Sequence, residues 1–260
     1  MSDPARDIAR PILAAEGITH VYANGSGLVR ALDDVSLTLA PESFVCLVGP
    51  SGCGKSTLLR ILAGLVAPTA GRVLFDGQPI NAPQRRIGIV FQEANLMPWR
   101  TVSANLSLPL ELAHVPADEI RRRTEAMVEL VGLAGFADAY PAGLSGGMAQ
   151  RVAIGRALIH DPEVLLLDEP FGQLDALTRE QMSGELLRIW ARHRKTVLMV
   201  THSIPEAVLL ADRVLVMSPR PGTIIADVEI PLARPRSLEL LHEPSYIALT
   251  ERVRRCIKSS

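Results

Sequence analysis

Four short apolar runs are spaced along the chain, at residues 44–48, 87–91, 164–167 and 196–200. They are rich in leucine or β-branched residues and do not cleanly alternate apolar with polar positions. Strands buried on both faces have this pattern, whereas strands with one face in water alternate. We therefore expect the four runs to form a mostly parallel central sheet.

The pattern changes to a helical period between the second and third runs. Residues 102–113 and 118–131 repeat apolar positions every three or four residues, and Arg121, Arg122 and Arg123 fall on a solvated face. We interpret residues from about 93 to 157 as an α-helical subdomain inserted into the core.

Both ends of the chain add further strands. Residues 12–22, 35–39 and 72–75 alternate around glycine-containing turns, which predicts a flanking antiparallel β-subdomain. After residue 212 we expect a strand at 214–217, a turn at Pro221 and Gly222, another strand, and a last helix from about Ser237. The predicted class is α/β, with a main domain over residues 10–236 and a helical tail over residues 237–260.

Charge and composition narrow the classes of partner and compartment. With 27 basic and 28 acidic residues the formal net charge is -1, so nothing points to nucleic acid or an anionic membrane surface. Residues 1–10 lack the apolar core of a secretory signal, and no apolar run reaches the roughly 18 residues of a membrane span. The three cysteines lack metal-ligand spacing and fit reduced thiols, so we expect a cytoplasmic protein.

A glycine-rich segment follows the first apolar run and precedes a helical pattern at residues 58–63. Its glycines let backbone N–H groups converge on phosphate at a helix N-terminus. Lys55, one of only three lysines, supplies a compact charge for the β- and γ-phosphates, and the Ser56 hydroxyl supplies a Mg²⁺ ligand. The alternative is an ordinary glycine turn, but the strand, loop and helix in this order predict a nucleotide-binding P-loop. Its residues are Gly49, Pro50, Ser51, Gly52, Cys53, Gly54, Lys55, Ser56 and Thr57.

Two carboxylates, Asp168 and Glu169, end the third apolar run. Ligands of open α/β sheets lie beyond the carboxyl ends of the strands. Asp168 is then placed to reach the Mg²⁺ shell, and Glu169 to orient and deprotonate a water molecule. The alternative is a solvated loop before Pro170, but a P-loop upstream favours the functional interpretation.

A second glycine-containing helix start lies at residues 144–148, before the helical run 149–159. Ser145 is a candidate N-cap, and Gly146 and Gly147 leave backbone N–H groups open to a phosphate. Considered alone, this motif favours a capped helix after a turn.

Three further polar or aromatic side chains are candidates. Gln92 and His202 each follow a predicted core strand, where a histidine is often only structural. Tyr22 offers an aromatic face to an adenine, although packing in the N-terminal sheet is the stronger explanation when Tyr22 is considered alone.

Taken in order, these residues resemble the motif set of the ABC transporter ATPase family over about residues 15 to 220. That set comprises an adenine-stacking aromatic residue, Walker A, Q-loop, LSGG signature, Walker B, D-loop and switch histidine. The matching positions here are Tyr22, Gly49 to Thr57, Gln92, Leu144 to Met148, Leu165 to Glu169, Leu174 with Asp175, and His202.

The resemblance implies a RecA-like P-loop NTPase core and a head-to-tail homodimer that encloses two ATP molecules. It implies that Ser145, Gly146 and Gly147 of one protomer contact the γ-phosphate held by the other's P-loop, and that Asp175 lies across the interface. The roles it implies within one protomer are adenine stacking by Tyr22, Mg²⁺ and water contact by Gln92, α-phosphate contact by Thr57, water activation by Glu169, and γ-phosphate contact by His202.

Other stretches, at residues 95–102, 168–179 and 217–224, resemble the importer branch that takes up nitrate, sulfonate, taurine, bicarbonate or pyrimidine precursors. This resemblance implies a separate transmembrane permease, a solute-binding protein, and a peripheral position on the inner face of the membrane. Met148 and Gln173 depart from the usual family residues, and Gln173 concerns the detail of the dimer interface.

Two other classes of function use similar motifs. A non-transport ABC ATPase shares the whole set, but usually carries coiled-coil insertions or tandem cassettes that this sequence lacks. A small-molecule kinase shares the P-loop, but leaves Ser145, Gly146, Gly147 and His202 without a role.

An apolar stretch after Gln92 contains Leu96, Met97, Pro98, Trp99 and Val102. Proteins rarely expose such a stretch without use, so we expect it to line a groove for a short helix of the permease. Simple packing within the helical subdomain is the alternative.

Overall fold

The structure is a computed structural model that describes residues 10–24 and 27–258. The charged N-terminal stretch, on which the expectation about a secretory signal rests, lies outside the described residues except for Arg10. The strands, in chain order, are β1 (Leu13–Asn24), β2 (Gly27–Leu39), β3 (Phe44–Val48), β4 (Ala70–Phe75), β5 (Gln78–Pro79), β6 (Ile87–Val90), β7 (Val164–Asp168), β8 (Thr196–Val200), β9 (Arg213–Met217) and β10 (Ile224–Glu229).

Seven α-helices lie among the described residues. They are α1 (Lys55–Leu62), α2 (Val102–Leu112), α3 (Ala117–Leu130), α4 (Gly146–Leu158), α5 (Ala176–His193), α6 (Ile204–Leu210) and α7 (Pro244–Lys258). Short 3-10 helices occupy Ala134–Phe136, Pro141–Gly143 and Leu238–His242. None of the described helices is both long and apolar enough to cross a membrane.

The central sheet has the strand order β10-β9-β3-β8-β7-β6 and is parallel except for its edge strand β10. Strands β3, β7 and β8 are buried along their whole length, because the sheet is covered on both faces. The predicted parallel sheet is confirmed. A second, antiparallel sheet with the order β2-β1-β4-β5 confirms the predicted N-terminal strands.

Helices α2, α3 and α4 pack together beside the central sheet. Gly155 of α4 permits their close approach, since a Cβ atom there would lie 2.8 Å from Leu106 Cδ2 and 2.9 Å from Val131 Cγ1. The helical periods predicted at 102–113 and 118–131 therefore correspond to α2 and α3.

Two helices begin earlier than predicted, and the last one begins later. Helix α1 starts at Lys55 and α4 at Gly146, so the glycine-rich segments lead directly into the helices. The last α-helix starts at Pro244 rather than near Ser237, and a 3-10 helix precedes it. Glu243 is extended (φ -76°, ψ 137°) because the ring of the following proline disfavours the helical conformation before it.

Candidate active site

The P-loop runs from the end of β3 to the start of α1, as the order of motifs predicts. Gly54 has φ 109°, and a Cβ atom there would lie 2.8 Å from the carbonyl oxygen of Ala31. Only glycine fits this position. The first turn of α1 carries no acidic residue, so its free N–H groups and positive dipole end favour an anion.

Lys55 is buried inside the loop. Its ammonium donates to the carbonyl oxygens of Gly49 and Pro50, each at 2.9 Å, and lies 3.8 Å from Cys53 Sγ. An ammonium carries three donors, so two strong bonds to the loop still leave one for a phosphate oxygen. Cys53 is also buried.

Ser56 and Asp168 meet where α1 faces the end of β7. Ser56 Oγ donates to Asp168 Oδ1 at 2.9 Å. Burial raises the pKa of Asp168, and the hydrogen bond from Ser56 opposes that rise. A hydroxyl beside a carboxylate is the oxygen donor set that suits Mg²⁺, which also keeps water and phosphate ligands. The pair therefore fits the metal that the sequence predicts.

Glu169 and His202 meet in the same way at the ends of β7 and β8. His202 Nδ1 lies 3.3 Å from Glu169 Oε2. Glu169 has φ 45°, a conformation uncommon for a residue with a side chain, and its N–H donates to Val200 O at 2.9 Å. Non-glycine residues held in this way are frequent at functional sites.

Gln92 is exposed just after β6, and its side chain approaches Gly172. A Cβ atom on Gly172 would lie 3.4 Å from Glu169 Oε2 and 3.6 Å from Gln92 Nε2. Gln92 and Glu169 therefore converge on one small region. Gly172 adds no side chain to this region, and a Cβ atom at that position would narrow it.

Tyr22 lies near the P-loop with its ring 39% exposed. Its hydroxyl is 3.2 Å from Thr57 Oγ1, and the ring of His20 packs edge-on against it with centroids 4.5 Å apart. The ring is thus fixed on one side and partly open to solvent.

The candidate signature residues belong to a different cluster. Ser145 caps α4 by accepting from Met148 N at 3.3 Å, which confirms the predicted N-cap. A Cβ atom on Gly147 would lie 3.1 Å from Thr178 Cγ2, and one on Gly146 would lie 3.4 Å from Leu174 Cδ2. The cluster thus adjoins the start of α5.

Asp175 caps α5 at this same place. It accepts from Thr178 N at 3.0 Å and from Thr178 Oγ1 at 2.6 Å. The Thr178 hydroxyl is the main reason that the pKa of Asp175 is lowered. Residues 173–177 are exposed apart from the half-buried Leu174, and Leu177 is 74% exposed.

The described chain therefore carries two separate groups of candidate residues. The first joins Tyr22, the P-loop, Gln92, Asp168, Glu169 and His202. The second joins Ser145, Gly146 and Gly147 to the region of Asp175. Within the described residues, the hydrogen bonds and close contacts of Ser145, Gly146 and Gly147 go to α4 and to residues 174–182, and none reaches the P-loop.

Sequence reasoning missed three residues of this region. The motifs give no role to Gly172, although it lies in the stretch 168–179, or to Thr201 and Glu206, which flank the His202 turn. The pattern Ser203-x-x-Glu206 is a helix-start signature that could have drawn attention to Glu206.

A parallel sheet whose strand ends carry a glycine-rich phosphate loop, a hydroxyl-carboxylate pair and a carboxylate-imidazole pair defines a P-loop ATPase. The comparison with known families agrees. Residues 32–172 match the family model described as ABC transporter, and the chain belongs to this family.

Relatives with names of this family cover most of the chain. The nitrate import ATP-binding protein NrtD of Synechococcus elongatus is 48% identical over 223 residues, which is 84% of this chain and 81% of NrtD. The aliphatic sulfonates import ATP-binding protein SsuB of Bacillus cereus is 43% identical over 225 residues, covering 86% of this chain and 88% of SsuB.

A solved structure shows the same fold. It is a dimeric ATP-binding cassette in a post-hydrolysis state with ADP and phosphate, 34% identical with a TM-score of 0.75, covering 85% of this chain and 100% of that one. This chain is accordingly an ATPase of the ABC transporter type, with the predicted α/β fold.

Proposed function

We propose that two copies of this chain bind Mg-ATP between them, head to tail, and hydrolyse it to drive import of a small solute through a separate permease. The observation that carries this proposal is the division of the candidate residues into two groups on one chain. A head-to-tail dimer places the Ser145 group of one copy opposite the P-loop of the other.

The phosphate end of ATP would lie at the N-terminus of α1, with Lys55 and the loop N–H groups binding its oxygens. Ser56, Asp168 and Gln92 would hold Mg²⁺, which when bound neutralises charge on the phosphate oxygens. Phosphoryl transfer needs positioning and charge stabilisation more than covalent chemistry, so these contacts supply most of what the reaction requires.

Glu169 is the proposed general base. Water attacks the γ-phosphorus, the bond to the ADP oxygen breaks, and the water proton passes to the Glu169 carboxylate, giving ADP and phosphate. His202, which lies against Glu169, would hold the γ-phosphate in line.

Closure of the dimer is the step that would move the permease. ATP contacts both copies only when they are closed, so binding favours closure and hydrolysis removes that bias. The exposed Asp175 and Leu177 would enter the interface.

Replacing the proposed base tests the catalytic assignment. Glu169→Gln keeps the shape of the side chain but cannot take the proton, so hydrolysis should fall about 10²- to 10⁴-fold while Mg-ATP affinity stays near wild type. Glu251→Gln, which changes an exposed carboxylate of α7, is the matched control and should keep full activity. Near-normal turnover by Glu169→Gln would refute the assignment of the base.

The permease would dock on residues 96–99. Trp99 is 72% exposed, and the buried Asn105 fixes the loop by bonding both main-chain groups of Met97 and the carbonyls of Arg100 and Thr101. Val102, predicted to line the groove, is instead fully buried beneath it because it belongs to the core of the helical subdomain. Arg156 of α4 donates to the carbonyls of Ala94 and Asn95, so the segment between Gln92 and this loop is fixed to α4.

Substitutions in the exposed part of that loop test the docking site. Trp99→Ala and Met97→Glu should reduce co-purification with the permease and abolish transport, while leaving basal ATPase intact. Ile247→Ala, an exposed apolar residue on α7, is the control. Normal co-purification and transport by folded Trp99→Ala and Met97→Glu proteins would refute the docking site.

The candidate cargoes are first the small solutes in the names of the relatives, nitrate and aliphatic sulfonates. The resemblance to the importer branch adds taurine and a pyrimidine precursor. The chain would sit on the inner face of the membrane, and a solute-binding protein would deliver cargo to the permease. Uptake of each labelled solute by cells that carry the complete transporter, with and without this chain, distinguishes them. A non-transport ABC ATPase predicts no chain-dependent uptake and no bound permease.

A further inference from the structure

The turn after β8 carries two neighbouring residues with opposite surroundings. Thr201 is buried, and its N–H donates to Leu47 O of the central sheet at 3.1 Å. His202 follows it and is half exposed, with its imidazole at Glu169. The position of the imidazole therefore depends on the main chain of a short turn between β8 and α6.

Glu206 is hydrogen-bonded to Thr201 and Ser203, the two residues on either side of His202 in that turn. Thr201 Oγ1 accepts from Ser203 N at 3.0 Å and donates to Glu206 Oε2, so its single proton runs toward the carboxylate. Glu206 N donates to Ser203 Oγ at 3.4 Å, which closes the cap of α6. The two residues that flank His202 are thus both bonded to Glu206.

Burying a carboxyl group at this position costs desolvation free energy. Glu206 is only 6% exposed, and its Oε1 has no hydrogen-bond partner among the described residues. Burial raises its pKa. The residues that follow it in α6, Ala207 to Leu210, are all buried and apolar, so a leucine there would avoid the desolvation cost.

Several charged groups around Glu206 belong to the catalytic region. Arg179 of α5 lines the same cavity of about 210 Å³ as Glu206, and it donates to the carbonyls of Phe171 and Leu174 in the turn after Glu169. Glu169 and His202 interact with Glu206 electrostatically, as does the buried Cys46 thiol of β3, and Glu180 lines the same cavity. Arg179 and Glu206, which line one cavity, therefore hold the turn after Glu169 and the turn that carries His202.

We propose that Glu206 is a positioning residue, which acts through Thr201 to hold the His202 imidazole against Glu169 for hydrolysis. This inference rests on the proposed function. The carboxylate itself contacts neither ATP nor water in the reaction.

Breaking the hydrogen bond between Thr201 and Glu206 should slow ATP hydrolysis and leave nucleotide binding intact. Glu206→Ala and Thr201→Val each break the bond between these two side chains, and kcat should fall about 10- to 100-fold, the scale expected for a small misplacement of a reacting group. KM and ADP affinity should stay within about twofold of wild type. Glu206→Gln keeps an oxygen that can accept from Thr201, so it should restore most of the rate.

A matched control separates positioning from local stability. Tyr246→Phe removes the hydrogen bond from the Tyr246 hydroxyl to Pro205 O, at 2.8 Å, and so loosens the same helix without touching the Thr201 contact. It should lower the melting temperature but not kcat. An equal loss of kcat in Tyr246→Phe would make the effect one of helix stability and overturn the proposal.

Histidine NMR measures the position directly, whether or not the protein hydrolyses ATP. The chain has 6 histidines, and the His202 imidazole signal is assigned by its loss in His202→Ala. Glu206→Ala and Thr201→Val should shift or broaden that signal, and Glu206→Gln and Tyr246→Phe should leave it in place. An unmoved signal, or an unchanged kcat in both variants, overturns the proposal, whereas a wild-type protein without ATPase activity refutes the proposed function instead.

Discussion

Asp168 stands at the end of a fully buried strand, where its carboxylate is poorly hydrated. Its raised pKa means that the folded chain binds this proton more tightly than the unfolded chain does. The contribution of Asp168 to the free energy of unfolding therefore falls as pH rises from the ordinary value of 3.8 through the raised pKa. A residue that we propose to bind Mg²⁺ thus weakens the fold at neutral pH.

Asp168→Asn should separate these two effects. The amide oxygen still accepts from Ser56, so urea unfolding at pH 7 should show a more stable protein than wild type, with a smaller gain near pH 4. ATP hydrolysis should fall at least about 10²-fold, because a metal ligand is lost. A variant that is less stable than wild type at pH 7 would contradict this account.

Tyr22 is held so that one part of its ring stays open. If that ring stacks on adenine, Tyr22→Ala should raise the ATP Kd about 5- to 150-fold, the equivalent of about 1–3 kcal/mol per stacked base. Tyr22→Phe keeps the ring and loses only the contact with Thr57, so its affinity should stay close to wild type. Titration calorimetry measures both, and equal losses in the two variants would assign the role to the hydroxyl.

Contacts at this scale were only partly predictable. The meeting of Ser56 with Asp168, and of Glu169 with His202, follows from the rule that parallel strand ends share one edge of the sheet. The role of Glu206 does not follow, because a glutamate in the first turn of a helix normally faces water. Glu206 is buried because α6 packs against β3, α5, α7 and the 3-10 helix at Leu238–His242.

Among the elements, the buried strands were predicted best, since an apolar run needs no partner to be recognised. Helices α5 and α6 were not predicted, although Asp175 and Ser203 cap them. The residues of α5 mix core, cap and exposed positions around the helix, which weakens the helical period. The main domain over residues 10–236, with the insertion at about 93–157, and the tail over 237–260 stay predictions.

Arg236, just before the predicted tail, donates hydrogen bonds to main-chain carbonyls at the C-terminal end of α6. Burial lowers the pKa of Arg236 to about 10, and its guanidinium lies 3.6 Å from Asp212. It satisfies main-chain oxygens that a helix end would otherwise leave without partners. These are the carbonyls of Val208, Leu209, Ala211, Ile230 and Leu232.

Arg236→Met should therefore destabilise the chain by roughly 3 kcal/mol, because it leaves several buried carbonyls without this donor, whereas Asp212 keeps its bonds from Arg234 and from Phe44 N. Arg252→Met, on the exposed face of α7, is the control and should change stability by less than about 0.5 kcal/mol. Chemical denaturation compares the two. Equal stability of Arg236→Met and wild type would show that water replaces the hydrogen bonds of the Arg236 guanidinium.

At the scale of the whole molecule, one chain holds both parts of the proposed composite site but does not bring them together. The P-loop group lies at the strand ends, and the Ser145 group lies at the start of α4 beside α5. The head-to-tail arrangement came from the resemblance and not from periodicity or spacing, since a single sequence carries no direct signal of how two copies meet. A similar cassette is solved as a dimer with ADP and phosphate, which supports dimerisation.

The molar mass of Glu169→Gln in each nucleotide tests this central claim most directly. Because the variant binds ATP without turning it over, light scattering should give twice the 28.1 kDa of one chain with Mg-ATP, and 28.1 kDa with Mg-ADP. Adding Ser145→Arg, which places bulk and charge where phosphate meets the opposite copy, should return the ATP sample to 28.1 kDa. A single-chain mass in both nucleotides, or an ATP dimer that survives Ser145→Arg, would contradict the composite site.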